Sequence, residues 1–186
     1  ELSSWLLESI EGLGIGPQIA VLTNAYQDHL DRYDSFEHYL SAKELIFKEQ
    51  KQDQIAILNA DQELMDGIAS RVPTKRVYWF SSKPLISEKA GAFRDGDSMI
   101  RKLDGQQTGF AHIHDIKILG EHNVMNALCA SLAAHFAGVT DENIHETLKT
   151  FAGLPGRQQI IAEIEGVMYV NDTTATSPDG TIAALK

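Results

Sequence analysis

A mostly parallel α/β sheet flanked by helices is predicted by three features of the sequence. The first is a set of short, unbroken apolar runs: Ile19 to Thr23, Ile55 to Leu58 and Val77 to Phe80. Each has the length of a strand buried on both faces. The second is helical spacing between the runs. From Ser35 to Gln50, Phe36, Tyr39, Leu40, Ile46 and Phe47 fall on one side, and a further helix is expected from Gln62 to Arg71. Strand–helix alternation of this kind builds a parallel sheet with right-handed crossovers. The third is a change of texture after Lys83.

There, the turn dipeptides Asp95-Gly96 and Asp104-Gly105 bracket Ser98 to Leu103, which predicts a small antiparallel meander attached to the main sheet. Two helices follow, Glu121 to Ala137 and Thr140 to Phe151, separated by Gly138. Gly153-Leu154-Pro155-Gly156 reads as a domain linker. Beyond it, Ile160 to Ile164 and Val167 to Val170 flank Glu165-Gly166 as a hairpin. Ser177-Pro178-Asp179 reads as a helix start, with an N-cap, a proline and an acid in the first turn. Gly12, Gly14 and Gly16 form a loop before a strand. A dinucleotide fingerprint would follow a strand and open a helix.

The 186 residues are 43% hydrophobic and 23% charged, a balance typical of soluble globular chains. No apolar run has the length of a membrane span, and no signal peptide is visible at Glu1 to Trp5. A net charge of −10 disfavours wrapping nucleic-acid phosphates, yet leaves room for a nucleotide in a locally basic pocket. The single cysteine, Cys129, excludes an internal disulfide and a multi-cysteine zinc site; it reads as a small buried apolar residue of a reducing, cytoplasmic protein.

Lys43 is the most informative residue. It lies seven after Phe36, four after Tyr39 and four before Phe47, which puts its stem on the apolar face of the helix. Either its head snorkels to water, or its amine is held inside a site and open to modification. Carbamylation would turn it into an oxygen ligand suited to Mg²⁺. Asn24 to Arg32 directly follows a strand, and the carboxyl ends of strands are where open α/β sheets bind ligands. His29, between Asp28 and Asp31, is either a metal or substrate ligand or part of an ordinary polar loop. Glu1, Ser3 and Ser4 either supply a carboxylate and hydroxyls at a strand end or are the plain start of the chain. Asn123 and Asn126 share a helix face; their amides suit a purine edge, or they cap the helix. Asn171 to Pro178 brings hydroxyls and free N–H groups to a helix N-terminus, a natural place for a carboxylate or phosphate, or simply a capped one.

Taken in order, these strings resemble the Mur ligases. The matching stretches are Glu1-Leu2-Ser3-Ser4, Thr23-Asn24 with Asp28-His29-Leu30-Asp31-Arg32, Ala42-Lys43 with Ile46-Phe47, Gly120-Glu121-His122-Asn123 with Asn126, Phe151 to Arg157, and Asn171-Asp172 through Leu185. The last string looks most like the branch that adds D-glutamate to UDP-N-acetylmuramoyl-L-alanine. The resemblance implies a P-loop-type central domain over residues 1–154, and the first strands of a Rossmann-like C-terminal domain over 155–186. It implies an ATP-dependent ligase of peptidoglycan synthesis working through an acyl phosphate, cytoplasmic and monomeric at full length, with small-molecule substrates and no nucleic-acid or membrane partner. By analogy, Glu1, His29 and carbamylated Lys43 would surround Mg²⁺. Asn123 and Asn126 would face adenine, Arg157 and Asp172 would reach the nucleotide, and Ser3, His29 and Thr176 would contact substrate. Two positions depart from the family pattern: Thr174 stands where lysine is usual, and Gly156 where histidine is frequent. No Gly-x-x-Gly-Lys-Ser/Thr phosphate loop occurs in the sequence, so this chain alone is expected to be inactive. The neighbouring expectations are a related ligase for another amino acid and a non-catalytic homologue.

Overall fold

The computed structural model describes residues 1–26, 32–175 and 181–182. Helix α1 (Ser4–Ile10) precedes strand β1 (Ile19–Leu22). Two helix–strand units follow, α2 (Phe36–Lys48) with β2 (Ile55–Asn59), then α3 (Leu64–Ala69) with β3 (Arg76–Ser81). Strands β4 (Gly91–Asp95), β5 (Ser98–Leu103) and β6 (Gln106–His112) form the predicted meander. Helices α4 (Glu121–Phe136) and α5 (Asp141–Thr150) come next, and the hairpin β7 (Gln159–Ile164) and β8 (Val167–Asn171) lies beyond the linker.

The main sheet runs β1-β2-β3-β4-β5-β6. Strands β1 to β4 are parallel, with Ala20 opposite Ala56, and Trp79 opposite Gly91. The meander is antiparallel, with Phe93 opposite Ile100. Side-chain alternation along β2 divides the core. Ile55 and Ile57 face a cluster with Leu128, Cys129 and Leu132 of α4 and Ile144 of α5. Ala56 and Leu58 face the other way, onto Phe47 of α2 and Met65 and Ile68 of α3. The sheet is thus the middle of three layers, and all five residues of β2 are buried.

The step from β3 to β4 has no crossover helix. Gly91 makes it possible, because at φ +151° a Cβ would run into the Trp79 backbone. Lys89 pins the same connection, its Nζ 3.8 Å above the Trp79 ring centroid and 2.6 Å from an Asp66 carboxylate oxygen. Turn residues Asp104-Gly105 and Glu165-Gly166 have positive φ, as tight hairpins require.

Two details differ from the sequence reading, and a third expectation falls outside the described residues. Helix α1 was not expected; Ser3 caps it, accepting a hydrogen bond from the Leu6 N–H at 3.3 Å. Helix α3 is shorter than Gln62 to Arg71. Its expected first residue instead turns its side chain back to the chain after β1, accepting from Ala25 N–H at 3.0 Å and donating to Ala25 O at 3.4 Å. The predicted helix start at Ser177-Pro178-Asp179 lies outside the described residues.

Candidate functional site

The carboxyl ends of β1 and β2 are tied together by the side chain of Asn59, which donates to Thr23 O at 2.9 Å. With Gln62 on Ala25, this fixes the chain leaving β1 towards the Asn24-to-Arg32 string. Arg32 closes the string. Its guanidinium lies 4.6 Å from the Trp5 ring centroid and pairs with Glu8 at 3.1 Å; that hydrogen bond raises the Arg32 pKa above its ordinary value. Arg32 is thereby tied to α1, a role the sequence reading did not assign.

Lys43 is half-buried on α2. Its Nζ stands 4.8 Å from the centroid of the Tyr39 ring, one turn back on the same face, beside a buried cluster of Tyr33, Tyr39 and Ala42. Its amine therefore lies over an aromatic ring of the same helix, which fits a solvated head and a site-held amine alike and decides between neither. Glu1 and Ser3 are exposed, at the head of α1, and α1 lies against α2. No hydrogen bond or ion pair among the described residues joins Glu1, Ser3 and Lys43. His29 lies outside the described residues. Among the described residues no group of three carboxylate, imidazole or thiol side chains could hold a metal, and an unmodified lysine is a donor, not a ligand to a hard cation. The described residues therefore do not make a magnesium site by themselves.

The second group of expected residues is brought together. Helix α4 opens at Gly120, whose φ of 92° suits glycine. Asn123 and Asn126 sit on one face, Asn126 Nδ2 donating to Asn123 Oδ1 at 3.2 Å. Asn123 Nδ2 donates to Leu119 O at 2.6 Å and to Gln158 Oε1 at 3.2 Å. From Gln158 the connection continues, its backbone N–H donating to Asp172 Oδ1 at 3.1 Å. A continuous path thus runs Asn126–Asn123–Gln158–Asp172, from the helix to the linker to the end of β8. Arg157 is exposed beside it, with no side-chain partner among the described residues. The His122 Nδ1 is buried there without a hydrogen-bond partner. Thr176 lies outside the described residues.

The two departures touch each other. Gly156 O accepts from both the backbone N–H of Thr174, at 3.1 Å, and its hydroxyl, at 2.9 Å. Gly156 has φ +76°, and a Cβ there would lie 3.1 Å from Thr174 Cγ2. Gln158 was missed from sequence. Nothing in its neighbours marks it, and its contact spans 35 residues.

The described residues thus combine a three-layer α/β core with a helix N-terminus carrying two amides and a segment after the linker that folds back onto them. The chain belongs to the Mur ligase family, the model of the Mur ligase middle domain matching residues 1–134. Over all 186 residues it is 37% identical to the UDP-N-acetylmuramoylalanine–D-glutamate ligase of Thermoanaerobacter sp.. It is 39% identical over its whole length to the enzyme of the same name from Acidobacterium capsulatum. The chain spans about 40% of the length of each. Among solved structures, MurF from Acinetobacter baumannii aligns with a TM-score of 0.72 and 20% identity, covering 97% of this chain and 38% of that one. A UDP-N-acetylmuramoyl-L-alanyl-D-glutamate–2,6-diaminopimelate ligase aligns at 0.65 and 26% identity, covering 89% of this chain and 34% of that one.

Proposed function

We propose that this chain is the nucleotide-handling middle of an enzyme that uses ATP to join D-glutamate to UDP-N-acetylmuramoyl-L-alanine in peptidoglycan precursor synthesis. The observation that carries the reading is the path from Asn126 and Asn123 through Gln158 to Asp172, in a chain similar along its whole length to ligases of that name. Residues 1–154 are read as the central domain and 155–186 as the start of the next. The irregular linker and the separate two-stranded sheet support that division.

In this reading the amides of Asn123 and Asn126 read the adenine edge. Arg157 and Asp172 reach the nucleotide, Arg157 with its positive charge and Asp172 from beside the Gln158 backbone N–H, whose hydrogen bond it accepts. The substrate carboxylate takes the ATP γ-phosphate, leaving ADP, and the amine of D-glutamate then attacks that acyl phosphate and expels inorganic phosphate, so the protein contributes mainly position and charge. Ser3, His29 and Thr176 are assigned to substrate. Glu1, His29 and a carbamylated Lys43 are assigned to Mg²⁺, which when bound would offset repulsion between the carboxylate and the γ-phosphate. The protein is read as cytoplasmic and monomeric. No described helix is long and apolar enough to cross a membrane. A non-catalytic homologue is the second reading, favoured by one observation: where the family usually has lysine, the Thr174 hydroxyl is bonded to Gly156 O.

The test is amide formation by the natural protein that carries this chain, with UDP-N-acetylmuramoyl-L-alanine and ATP, comparing D-glutamate with other amino acids. Turnover with D-glutamate is expected to be lost in Lys43→Ala and partly restored by a small carboxylic acid. No turnover with any amino acid would sink the ligase reading, and preference for another amino acid would move it to a related ligase.

A further inference from the structure

The amide best placed to read a base is already engaged. An asparagine side chain has two donor protons, and Asn123 gives one to Leu119 O and one to Gln158 Oε1. Its oxygen accepts from Asn126. The Leu119 and Asn126 bonds stay within α4 and the two residues before it. The Gln158 bond reaches across from the linker. A glutamine carbonyl oxygen presents to Asn123 Nδ2 the same acceptor that a purine ring nitrogen would. Gln158 also has φ +43°, in the left-handed region that a non-glycine residue enters at a cost in strain. That conformation is held by its own N–H on Asp172 Oδ1 and by the neighbouring turn, where Gly156 N–H donates to Gln159 Oε1 at 3.0 Å.

From this geometry we infer that Gln158 is a latch that occupies the base-reading amide of Asn123 and must be displaced when a purine nucleotide binds. The inference rests on the proposal that adenine faces Asn123. It adds a residue that sets nucleotide affinity and couples base occupancy to the linker. With the latch closed, Asn123 has no donor for a base and the linker is tied to α4. With the base in place, Gln158 is released, and the strained backbone around it is free to relax together with Arg157 and Asp172. An intramolecular competitor of this kind lowers the fraction of binding-competent protein. It therefore slows association while leaving dissociation of bound nucleotide unchanged.

The test uses the natural protein that carries this chain and a non-hydrolysable ATP analogue, with affinity from calorimetry and rates from stopped flow. Gln158→Leu keeps the bulk and removes the amide. Gln158→Gly removes the side chain and suits the positive φ, so at least one variant retains the fold. Both are expected to bind the analogue about fivefold more tightly, the value of one net hydrogen bond, entirely through a faster association rate. Unchanged or slower association in both variants overturns the latch. Asn123→Ala separates this from the underlying reading. If Asn123→Ala weakens binding while the Gln158 variants do nothing, the adenine assignment stands and the latch falls. If Asn123→Ala binds like the wild type, adenine does not face Asn123 and both fall.

Discussion

Replacing Asp141 by alanine should destabilise the fold more than removing its partner, Arg101. Arg101 lies on β5 and is only 9% exposed. Its guanidinium makes a two-pronged contact with Asp141 at 2.6 and 2.8 Å, and its Cζ is 5.7 Å from the Phe110 ring centroid. Breaking a buried pair by deleting one partner costs about 3–5 kcal/mol, whereas exposed pairs contribute about 0–1. Here the Arg101 side chain is 10% exposed and that of Asp141 is 39%, so the two deletions are unequal. Asp141→Ala strands a cation where water hardly reaches, which places its cost at about 2–3 kcal/mol. Arg101→Met leaves a carboxylate that water can reach and that the first turn of α5 favours, for a cost of about 1 kcal/mol. For a chain of this size each kcal/mol moves the melting temperature by about 2–4 °C. The expected falls are therefore about 4–12 °C for Asp141→Ala and about 2–4 °C for Arg101→Met. Thermal and urea denaturation of both variants measure this. Equal costs, or a larger one for Arg101→Met, would refute the argument from unequal burial.

Acid should weaken the fold at identifiable places. The Asp141 carboxyl titrates below its ordinary range, chiefly through the Arg101 hydrogen bond, and Asp115 does so chiefly through the His112 backbone N–H. A depressed folded pKa contributes stability above the unfolded value, near 4, and loses it as pH falls through the folded value. Urea midpoints should therefore drop below about pH 4, and less steeply in Asp115→Asn. Cys129 is 4% exposed and burial pushes its thiol pKa up to about 12, so the native chain should resist alkylation at pH 8 until urea is added; rapid native labelling would contradict the burial. Gly156→Ala should cost about 1–2 kcal/mol from its left-handed φ. Adding Thr174→Ser, which removes the Cγ2 that the new methyl would meet, should recover part of that loss in a double-mutant cycle.

What could be read from the sequence depended on how local its cause was. Strands β1 to β3 were legible because burial on both faces leaves a continuous apolar run, and the turns of the meander and of β7–β8 carry their own glycines. Helix α1 was not. Of its seven residues only Ser4 and Leu7 are buried, while Trp5 and Leu6 are each 51% exposed, so no apolar stripe announces it. Helix α3 was overextended because Gln62 looks helical in sequence but serves Ala25 instead. In the site, the spacing of Asn123 and Asn126 placed them on one face, as the structure has them. The place of Lys43 on the apolar face was also readable, but its ring partner only follows from the helix geometry. Gln158 was illegible because its meaning arises only when the linker folds back onto α4.

The strand order of the main sheet is also the order of the chain, β1 through β6. Among the described strands of this sheet, each one after β1 pairs with the strand that precedes it in the chain, and none lies between two earlier ones. Such a topology keeps loop-closure distances short, and short closures favour fast folding. These six strands can therefore add in chain order at one edge. The antiparallel meander, whose pairings are the most local, would zip up on a template laid down seconds earlier.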